Sequence, residues 1–399
     1  MTRDNSASPT AFRMNRRALL AGLAGVSVTF AGRGAFAAGA RKKLIVIIAR
    51  GGMDGLSFSP PYGDPNYAAL RGTLAIGAPG SAGGALKLDS TFGLHPTLVS
   101  IHEMALAGEA RVAPSVAIPE RIRSHFEAQD MLENGTATVY GVSSGWLNRA
   151  LTTMGGRKGL SVGATPPLVI RGPYQAGAWS PGPLLPEGDR VASILMDLYK
   201  DDPLLAPALT SGLSSEAMAK TATGGANVRA QDGKAFGGAI AKFVTEADGP
   251  DVVALSLDGF DTHFRQGAAT GLLAGRLTYV DALFAGLKTG LGPTWKDTTV
   301  VMATEFGRTA RVNGTLGTDH GTASTVLLAG GALKPGGIVG DWPTLADNRL
   351  FENRDLAPTL EVRSIFKGVL ADHMGVDRAK LDSVVFPDSG RAPPLMGLV

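Results

Sequence analysis

The residues best suited to chemistry are acids and histidines that stand next to short apolar runs. Asp261 and His263 follow one such run, Glu305 follows a second, and Asp319 with His320 precedes a third. Carboxylate oxygens and imidazole nitrogens are the usual protein ligands of divalent cations. The pattern therefore predicts a metal site. The alternative for these residues is a set of helix-capping acids and solvated histidines in turns.

Asp54 is a further candidate ligand. It lies in the glycine-rich turn at 50–57, directly after the first apolar run of the mature chain. A turn of this kind at the carboxyl end of a strand commonly contacts a metal or a phosphate. The alternative is that Asp54 only caps a helix.

A candidate nucleophile lies in the segment 121–131. Ser124 is expected to begin a helix, where unpaired N–H groups and the positive end of the helix dipole suit an anion or a nucleophile. Arg123 beside it, and Arg308 after the run 298–303, are the candidates for neutralising the oxygens of a substrate. Serine is also a preferred N-cap with no chemical role, and both interpretations stay open.

The elements that must position these residues are predicted from the apolar runs. The runs 44–49, 251–257, 298–303 and 324–329 are typical of buried parallel strands, and 111–117 and 167–170 predict two more strands. The carboxyl ends of such strands lie side by side, so we expect the candidate ligands to meet over one crevice. Residues 171–250 contain no histidine and no clustered motif, which favours a cap or insertion there.

The N-terminus is typical of an export signal. Asn15-Arg16-Arg17 precedes a short apolar stretch, and Ala35-Phe36-Ala37 forms a small-x-small cleavage site. Residues 1–37 hold five arginines and one acid, so a chain cut after residue 37 keeps 33 basic and 34 acidic side chains. A net charge of −1 argues against a nucleic-acid partner. The apolar stretch is too short to span a bilayer, and the sequence contains no cysteine.

Several motifs resemble a known family. They are RGGMDGLS (50–57), FGLHPTL (92–98), RSHFEAQDMLENG (123–135), GWLNRAL (145–151), DGFDTH (258–263), TEFGRTARVNG (304–314), TDHG (318–321) and GDWP (340–343). Together they resemble the DUF1501 family of exported bacterial proteins, which is placed with the alkaline phosphatase-like superfamily.

The resemblance implies a three-layer α/β/α sandwich with a mostly parallel central sheet, formed by residues 38–399, and one or two divalent ions (Zn, Mg, Mn or Ca). It matches Asp54 to the first metal aspartate, Asp261 and His263 to an Asp/His pair, and His320 to a late metal histidine. Ser124 stands where the nucleophile would. The chain departs from the superfamily after 298–303, where Glu305-Phe306 replaces an expected Asp-His that comes only at 319–320.

Two functions remain open. The first is an exported metal-dependent hydrolase of phosphate or related esters, acting on a small-molecule or glycan-linked substrate after passage through the twin-arginine export machinery. The second is a non-catalytic periplasmic or surface binding protein that keeps the fold and at most one metal site.

Overall fold

Strands and helices alternate along most of the chain. The computed structural model describes residues 41–181, 189–203, 205–223 and 228–399, so the signal predicted over residues 1–37 lies outside the described residues. The strands are β1 (Lys43–Ala49), β2 (Leu86–Lys87), β3 (Gly93–Leu94), β4 (Ala110–Ala117), β5 (Gly159–Val162), β6 (Gly177–Trp179), β7 (Val252–Leu257), β8 (Thr298–Ala303), β9 (Ser324–Ala329) and β10 (Leu360–Glu361). The helices are α1 (Gly55–Phe58), α2 (Tyr67–Arg71), α3 (Val99–Leu106), α4 (His125–Asn134), α5 (Trp146–Thr153), α6 (Asp189–Tyr199), α7 (Leu205–Thr223), α8 (Gly233–Thr245), α9 (Leu272–Leu291), α10 (Val362–Asp372) and α11 (Arg378–Lys380).

Eight of these strands form one sheet in the order β10-β4-β9-β8-β1-β7-β5-β6. Strand β1 pairs in parallel with β7 and β8, and the sheet continues in parallel through β5 and β6. Strand β9 runs antiparallel to its neighbours β4 and β8. The prediction of a mostly parallel α/β sheet is confirmed.

The prediction that 324–329 is a parallel strand is wrong. The connection 304–323 contains no helix, and a parallel neighbour would need a long crossover, whereas an antiparallel one can be reached by a loop. The start of β9 therefore lies beside the end of β8.

Helices cover both faces of the sheet. On one face, the buried side chains of Ile45 and Ile47 pack with α3, α8 and α9. On the other face, Leu44 and Val46 pack with α4, α5 and α10. Alternate side chains of β1 are thus buried on opposite faces of the sheet, each against helices. The sheet and the helices on its two faces form the three layers. Among the described residues, no helix has both the length and the apolar character needed to cross a bilayer.

Two segments differ in detail from the expectation. The run 167–170 forms a 3-10 turn, Leu168–Ile170, and not a strand; two prolines precede it, and proline cannot donate to a strand ladder. Within 171–250, β6 joins the sheet beside β5, and Phe236 and Phe243 of α8 are part of the core.

Candidate metal centre

Two loops and the start of one helix meet at one edge of the sheet: the loop after β7 and the loop that joins β8 to β9. The loop after β7 carries Asp261 and His263, and the loop after β8 carries Glu305. His320 comes to the same edge because antiparallel β9 begins where β8 ends. His125 is the first residue of α4.

The donor atoms of four side chains converge at this edge. Nε2 of His263 and Nε2 of His320 lie 2.9 Å apart. They lie 3.0 and 3.2 Å, respectively, from Oδ1 of Asp261. Nε2 of His125 lies 3.4 Å from Oδ2 of the same carboxylate. The ligand atoms of His125, Asp261 and His320 all lie within 4.8 Å of one another, so this group could hold a metal ion.

The opposite nitrogen of each imidazole faces an oxygen that can only accept a hydrogen bond. These oxygens belong to Glu305 for His125 (2.7 Å), Asp319 for His263 (3.3 Å) and the backbone carbonyl of Arg123 for His320 (2.8 Å). These contacts suit a neutral ring that carries its proton on Nδ1 and its lone pair on Nε2, and Nε2 of each ring also faces the carboxylate of Asp261. Proteins orient histidine ligands of metals in this way.

Glu305 is fully buried behind His125. Its Oε1 also accepts from the backbone N–H of Gly51 at 2.8 Å and from Gln129 at 3.0 Å, and its Oε2 accepts from Thr304 at 2.9 Å. Burial raises the pKa of Glu305, but the hydrogen bonds from His125 and Gln129 outweigh it and the pKa is lowered. In turn, Glu305 raises the pKa of His125 against the opposing effect of burial. The sequence predicts that Glu305 is a metal ligand. In the structure its carboxylate instead contacts Nδ1 of His125, the ring nitrogen opposite the one that faces Asp261.

Asp319 holds a similar position behind His263. Its Oδ1 accepts from the side-chain amide of Asn313 at 3.0 Å. That hydrogen bond is the main reason that the pKa of Asp319 is lowered; burial opposes it, and His263 adds to it. Asp319, like Glu305, is thus placed to orient an imidazole.

Arg308 is buried beneath the carboxylate of Asp261. Its guanidinium donates to Oδ1 of Asp261 at 2.5 Å and to the backbone carbonyls of Gly52 at 2.7 Å and Thr318 at 3.1 Å. Burial raises the pKa of Asp261, but Arg308 outweighs it and lowers this pKa to about 2. Arg308, predicted to meet a substrate, instead ties the loops together and keeps Asp261 ionised.

Arg123 is likewise engaged. Its Nε and one terminal nitrogen donate to Asp355 at 3.0 and 2.6 Å, and the same terminal nitrogen donates to Glu352 at 2.7 Å. Arg123 contributes its backbone carbonyl to the site, where this oxygen accepts a hydrogen bond from Nδ1 of His320. The expected contact of its guanidinium with substrate oxygens is therefore not what the structure shows.

Ser124 occupies the N-cap position of α4, as expected. Its carbonyl accepts from the N–H of Ala128 at 2.9 Å, but within the described part of the chain its hydroxyl makes no capping hydrogen bond. Ser124 is half-buried, and its neighbours in the sequence are Arg123 and His125. Ser124 thus directly precedes His125 of the candidate centre, and its hydroxyl makes no capping hydrogen bond in the described structure.

Asp54 does not belong to this group. Its carboxylate forms a buried ion pair with Arg71 and accepts from Gln266 at 2.6 Å and Ser57 at 2.9 Å. It also accepts from the N–H of Leu56, as the N-cap of α1. Burial raises the pKa of Asp54, but Arg71 and these hydrogen bonds outweigh it and lower the pKa. The Arg71 guanidinium therefore pairs with the carboxylate that the sequence predicts to bind a metal ion.

His125 was not among the ligands predicted from the sequence. A signal for it was present: His125 and Gln129 are four residues apart, so they share one face of α4, and both contact Glu305. From the sequence, Ser124 is the candidate functional residue of this segment, because a serine at a helix start can be a nucleophile or an N-cap.

The four donors fit a divalent cation. Nε2 of His125 is buried and has no hydrogen-bond partner within the described residues. Nε2 of His263 and Nε2 of His320 face each other at 2.9 Å, and in the tautomer with the proton on Nδ1 they present opposed lone pairs. Opposed lone pairs beside an ionised carboxylate are costly when partly desolvated, and a cation at this point would remove that cost.

The sequence profile of a family described as "Protein of unknown function (DUF1501)" matches residues 87–385, well over half of the chain. The chain belongs to the DUF1501 family. The match covers α4, both loops that carry the other histidines, and all of the donors described above, whereas Asp54 lies before it. Among curated proteins, none matches this DUF1501 chain significantly.

Several solved structures resemble this DUF1501 protein. The zinc complex of the C-terminal periplasmic domain of EcEptC from Escherichia coli is 10% identical, with 88% of this chain and 87% of that chain covered and a TM-score of 0.40. Phosphonate monoester hydrolase of Agrobacterium radiobacter is 13% identical, with coverages of 84% and 74% and a TM-score of 0.35. Alkaline phosphatase from the Antarctic bacterium TAB5 is 12% identical, with coverages of 75% and 94% and a TM-score of 0.36.

Proposed function

We propose that this protein is an exported metal-dependent hydrolase of phosphate or related esters. The observation that carries the proposal is the convergence of three imidazole Nε2 atoms on the carboxylate of Asp261. His125, His263, His320 and Asp261 would hold one divalent cation. Three imidazoles and one carboxylate favour Zn²⁺ over Mg²⁺ or Ca²⁺, which prefer shells of oxygen.

A bound cation supplies Lewis acidity toward an ester oxygen. The chain itself prepares the site: Glu305 and Asp319 fix two imidazoles, and Arg308 keeps Asp261 ionised. Ser124 is the proposed nucleophile. Its hydroxyl lies at the start of α4, a helix of ten residues whose unpaired N–H groups and dipole favour negative charge.

The proposal includes a location and a substrate class. Export through the twin-arginine machinery would bring the folded protein to the periplasm, where small-molecule or glycan-linked phosphate esters are the expected substrates. Replacing Arg16 and Arg17 by lysine tests this part. We expect the precursor to stay unprocessed in the cytoplasm, and normal processing near Ala38 would contradict twin-arginine export.

A non-catalytic binding protein is the second candidate. The observation that favours it is the engagement of both arginines expected to meet a substrate: Arg123 pairs with Asp355 and Glu352, and Arg308 is buried in the loops. A protein of this kind would hold the cation and a ligand without turnover.

Activity separates the two candidates. The mature protein, loaded with Zn²⁺, is assayed with p-nitrophenyl phosphate and bis(p-nitrophenyl) phosphate. We expect saturable hydrolysis of at least one ester, lost after chelation and in His320→Ala. His102→Ala is a matched control, because His102 contacts the carbonyl of Lys87 and none of the donor residues. Bound zinc without hydrolysis of either ester would favour the binding protein.

A further inference from the structure

A buried glutamine contacts two residues that neighbour the candidate metal ligands in the sequence. Gln266 is completely inaccessible to solvent. Its Oε1 accepts from the hydroxyls of Thr262 at 2.8 Å and Thr318 at 2.7 Å. Its Nε2 donates to Asp54 at 2.6 Å and to Ser57 at 3.3 Å. An amide has two donor hydrogens and two acceptor lone pairs, so these four contacts use all of its capacity.

The two threonines connect this amide to the metal ligands. Thr262 stands between Asp261 and His263, and Thr318 directly precedes Asp319 and His320. The backbone of the same two threonines is joined as well, since the N–H of Thr318 donates to the carbonyl of Thr262 at 3.2 Å. The loop that carries His263 and the loop that carries His320 are thus joined at one oxygen atom.

The other end of the amide is fixed by the ion pair of Asp54 and Arg71. Arg71 is also fully buried and donates to the carbonyls of Thr309 at 3.2 Å and Ala310 at 3.5 Å, in the loop that follows β8. Because the Asp54 carboxylate can only accept, the orientation of the Gln266 amide is determined: nitrogen toward Asp54, oxygen toward the threonines.

We infer that Gln266 is a positioning residue that sets the distance between His263 and His320 and thereby the affinity for the cation. Gln266 touches neither the cation site nor any of its four donors by a hydrogen bond in the described structure. It acts through Thr262 and Thr318, each one residue from a ligand or from the residue that orients it. Outer contacts of this kind typically alter metal affinity by about 10- to 100-fold. The inference rests on the metal site proposed above.

The test compares three buried threonines. Thr262→Val and Thr318→Val each remove one hydroxyl from Gln266 and keep the shape of the side chain. Thr298→Val is the matched control, because Thr298 is also buried, its hydroxyl donates to the carbonyl of Thr294 at 2.8 Å, and it lies at the opposite end of β8. For each variant we measure the Zn²⁺ dissociation constant by competition with a chromophoric chelator, and the melting temperature without metal.

We expect Thr262→Val and Thr318→Val to raise the Zn²⁺ dissociation constant about tenfold or more, and Thr298→Val to leave it unchanged at a similar loss of melting temperature. The double variant Thr262→Val/Thr318→Val should weaken binding about as much as Gln266→Met, since both contacts run through one amide. If Gln266→Met fails to fold, the threonine variants decide alone.

Equal zinc affinity of all three threonine variants and the unaltered protein would overturn the positioning role while leaving the metal site intact. Unaltered protein that binds no zinc would overturn both. The visible spectrum of bound Co²⁺ gives a second readout: we expect the two site threonine variants to change it and Thr298→Val to preserve it. A spectrum common to all would contradict the inference.

Discussion

His263 and His320 face each other through Nε2 atoms 2.9 Å apart, although both rings direct Nδ1 toward an oxygen that can only accept. In the tautomer with the proton on Nδ1, two neutral imidazoles cannot hydrogen bond to each other through Nε2, because no proton lies between the two nitrogens. Asp261, 3.0 and 3.2 Å away, adds a negative charge at the same point. This relationship suits two side chains that would share one bound cation.

Glu305→Gln tests the role of the buried carboxylate that contacts Nδ1 of His125. The substitution keeps the shape of the side chain but removes the charge that fixes the His125 ring, so we expect zinc affinity to fall by about 10- to 100-fold. Calorimetric titration with Zn²⁺ measures this. Glu133→Gln is a control of the same type: Glu133 is equally buried and pairs with Arg50 at 2.6 Å. Unchanged affinity in Glu305→Gln would show that Glu305 has no part in orienting a ligand.

Ser124→Ala tests the proposed nucleophile. Since the hydroxyl makes no capping hydrogen bond in the described structure, its removal should cost well below the ~1 kcal/mol of a lost N-cap. We expect ester hydrolysis to be abolished while zinc content stays normal. Steady-state kinetics and thermal unfolding of the same preparation check both parts. Full activity in the variant would leave Ser124 as a position at the start of a helix and nothing more.

Asp54→Asn separates a buried ion pair from a metal ligand. The variant leaves the guanidinium of Arg71 buried without its counter-charge, which typically costs about 3–5 kcal/mol. We therefore expect a large drop in the free energy of unfolding, with one zinc per chain still bound at saturating metal. Denaturant unfolding and elemental analysis measure these two quantities. Loss of the bound zinc at unchanged stability would restore Asp54 as a ligand.

His373 should make stability depend on pH. Burial lowers its pKa from 6.5 to about 4, and its Nε2 donates to the carbonyl of Lys43 at 2.8 Å. The unfolded chain then binds a proton that the folded chain does not, between pH 6.5 and about 4. The stability that the protein owes to a neutral His373 is fully present above pH 6.5. As the pH falls toward about 4, the free energy of unfolding decreases by up to about 3 kcal/mol.

Denaturant unfolding at pH 7.5, 6, 5 and 4.5 measures this dependence. His373→Gln keeps a donor for the carbonyl of Lys43 but does not titrate, so its stability should fall less steeply over the same range. Parallel slopes for the two proteins would assign the pH dependence to other groups.

The sequence carries enough information to predict most of the sheet and three of the four proposed donors, Asp261, His263 and His320. The largely apolar runs of β1, β7 and β8 predict central strands, and strand ends of a parallel sheet bring Asp261, His263 and the residues after β8 together. The direction of β9 could not be derived from its own residues, because a buried strand has the same apolar composition in either direction.

The partners of the acids could not be predicted. Asp54 is neutralised by Arg71, which lies in the short helix α2 within a stretch that shows no helical periodicity in the sequence. Glu305 and Asp319 have the residue type of ligands, yet each is occupied by an imidazole Nδ1. Whether a carboxylate binds a cation or orients a ligand depends on which atom lies nearest, and residue type does not encode that distance.

The metal content of the mature protein tests the central claim most directly. The protein is purified without chelators, equilibrated with Zn²⁺, dialysed and analysed by mass spectrometry for metal per chain, beside His320→Ala and the control His102→Ala. We predict about one zinc per chain in the unaltered protein and in His102→Ala, and a large loss in His320→Ala. Zinc content near zero in the unaltered protein, or equal in all three, would contradict a cation held by His125, Asp261, His263 and His320.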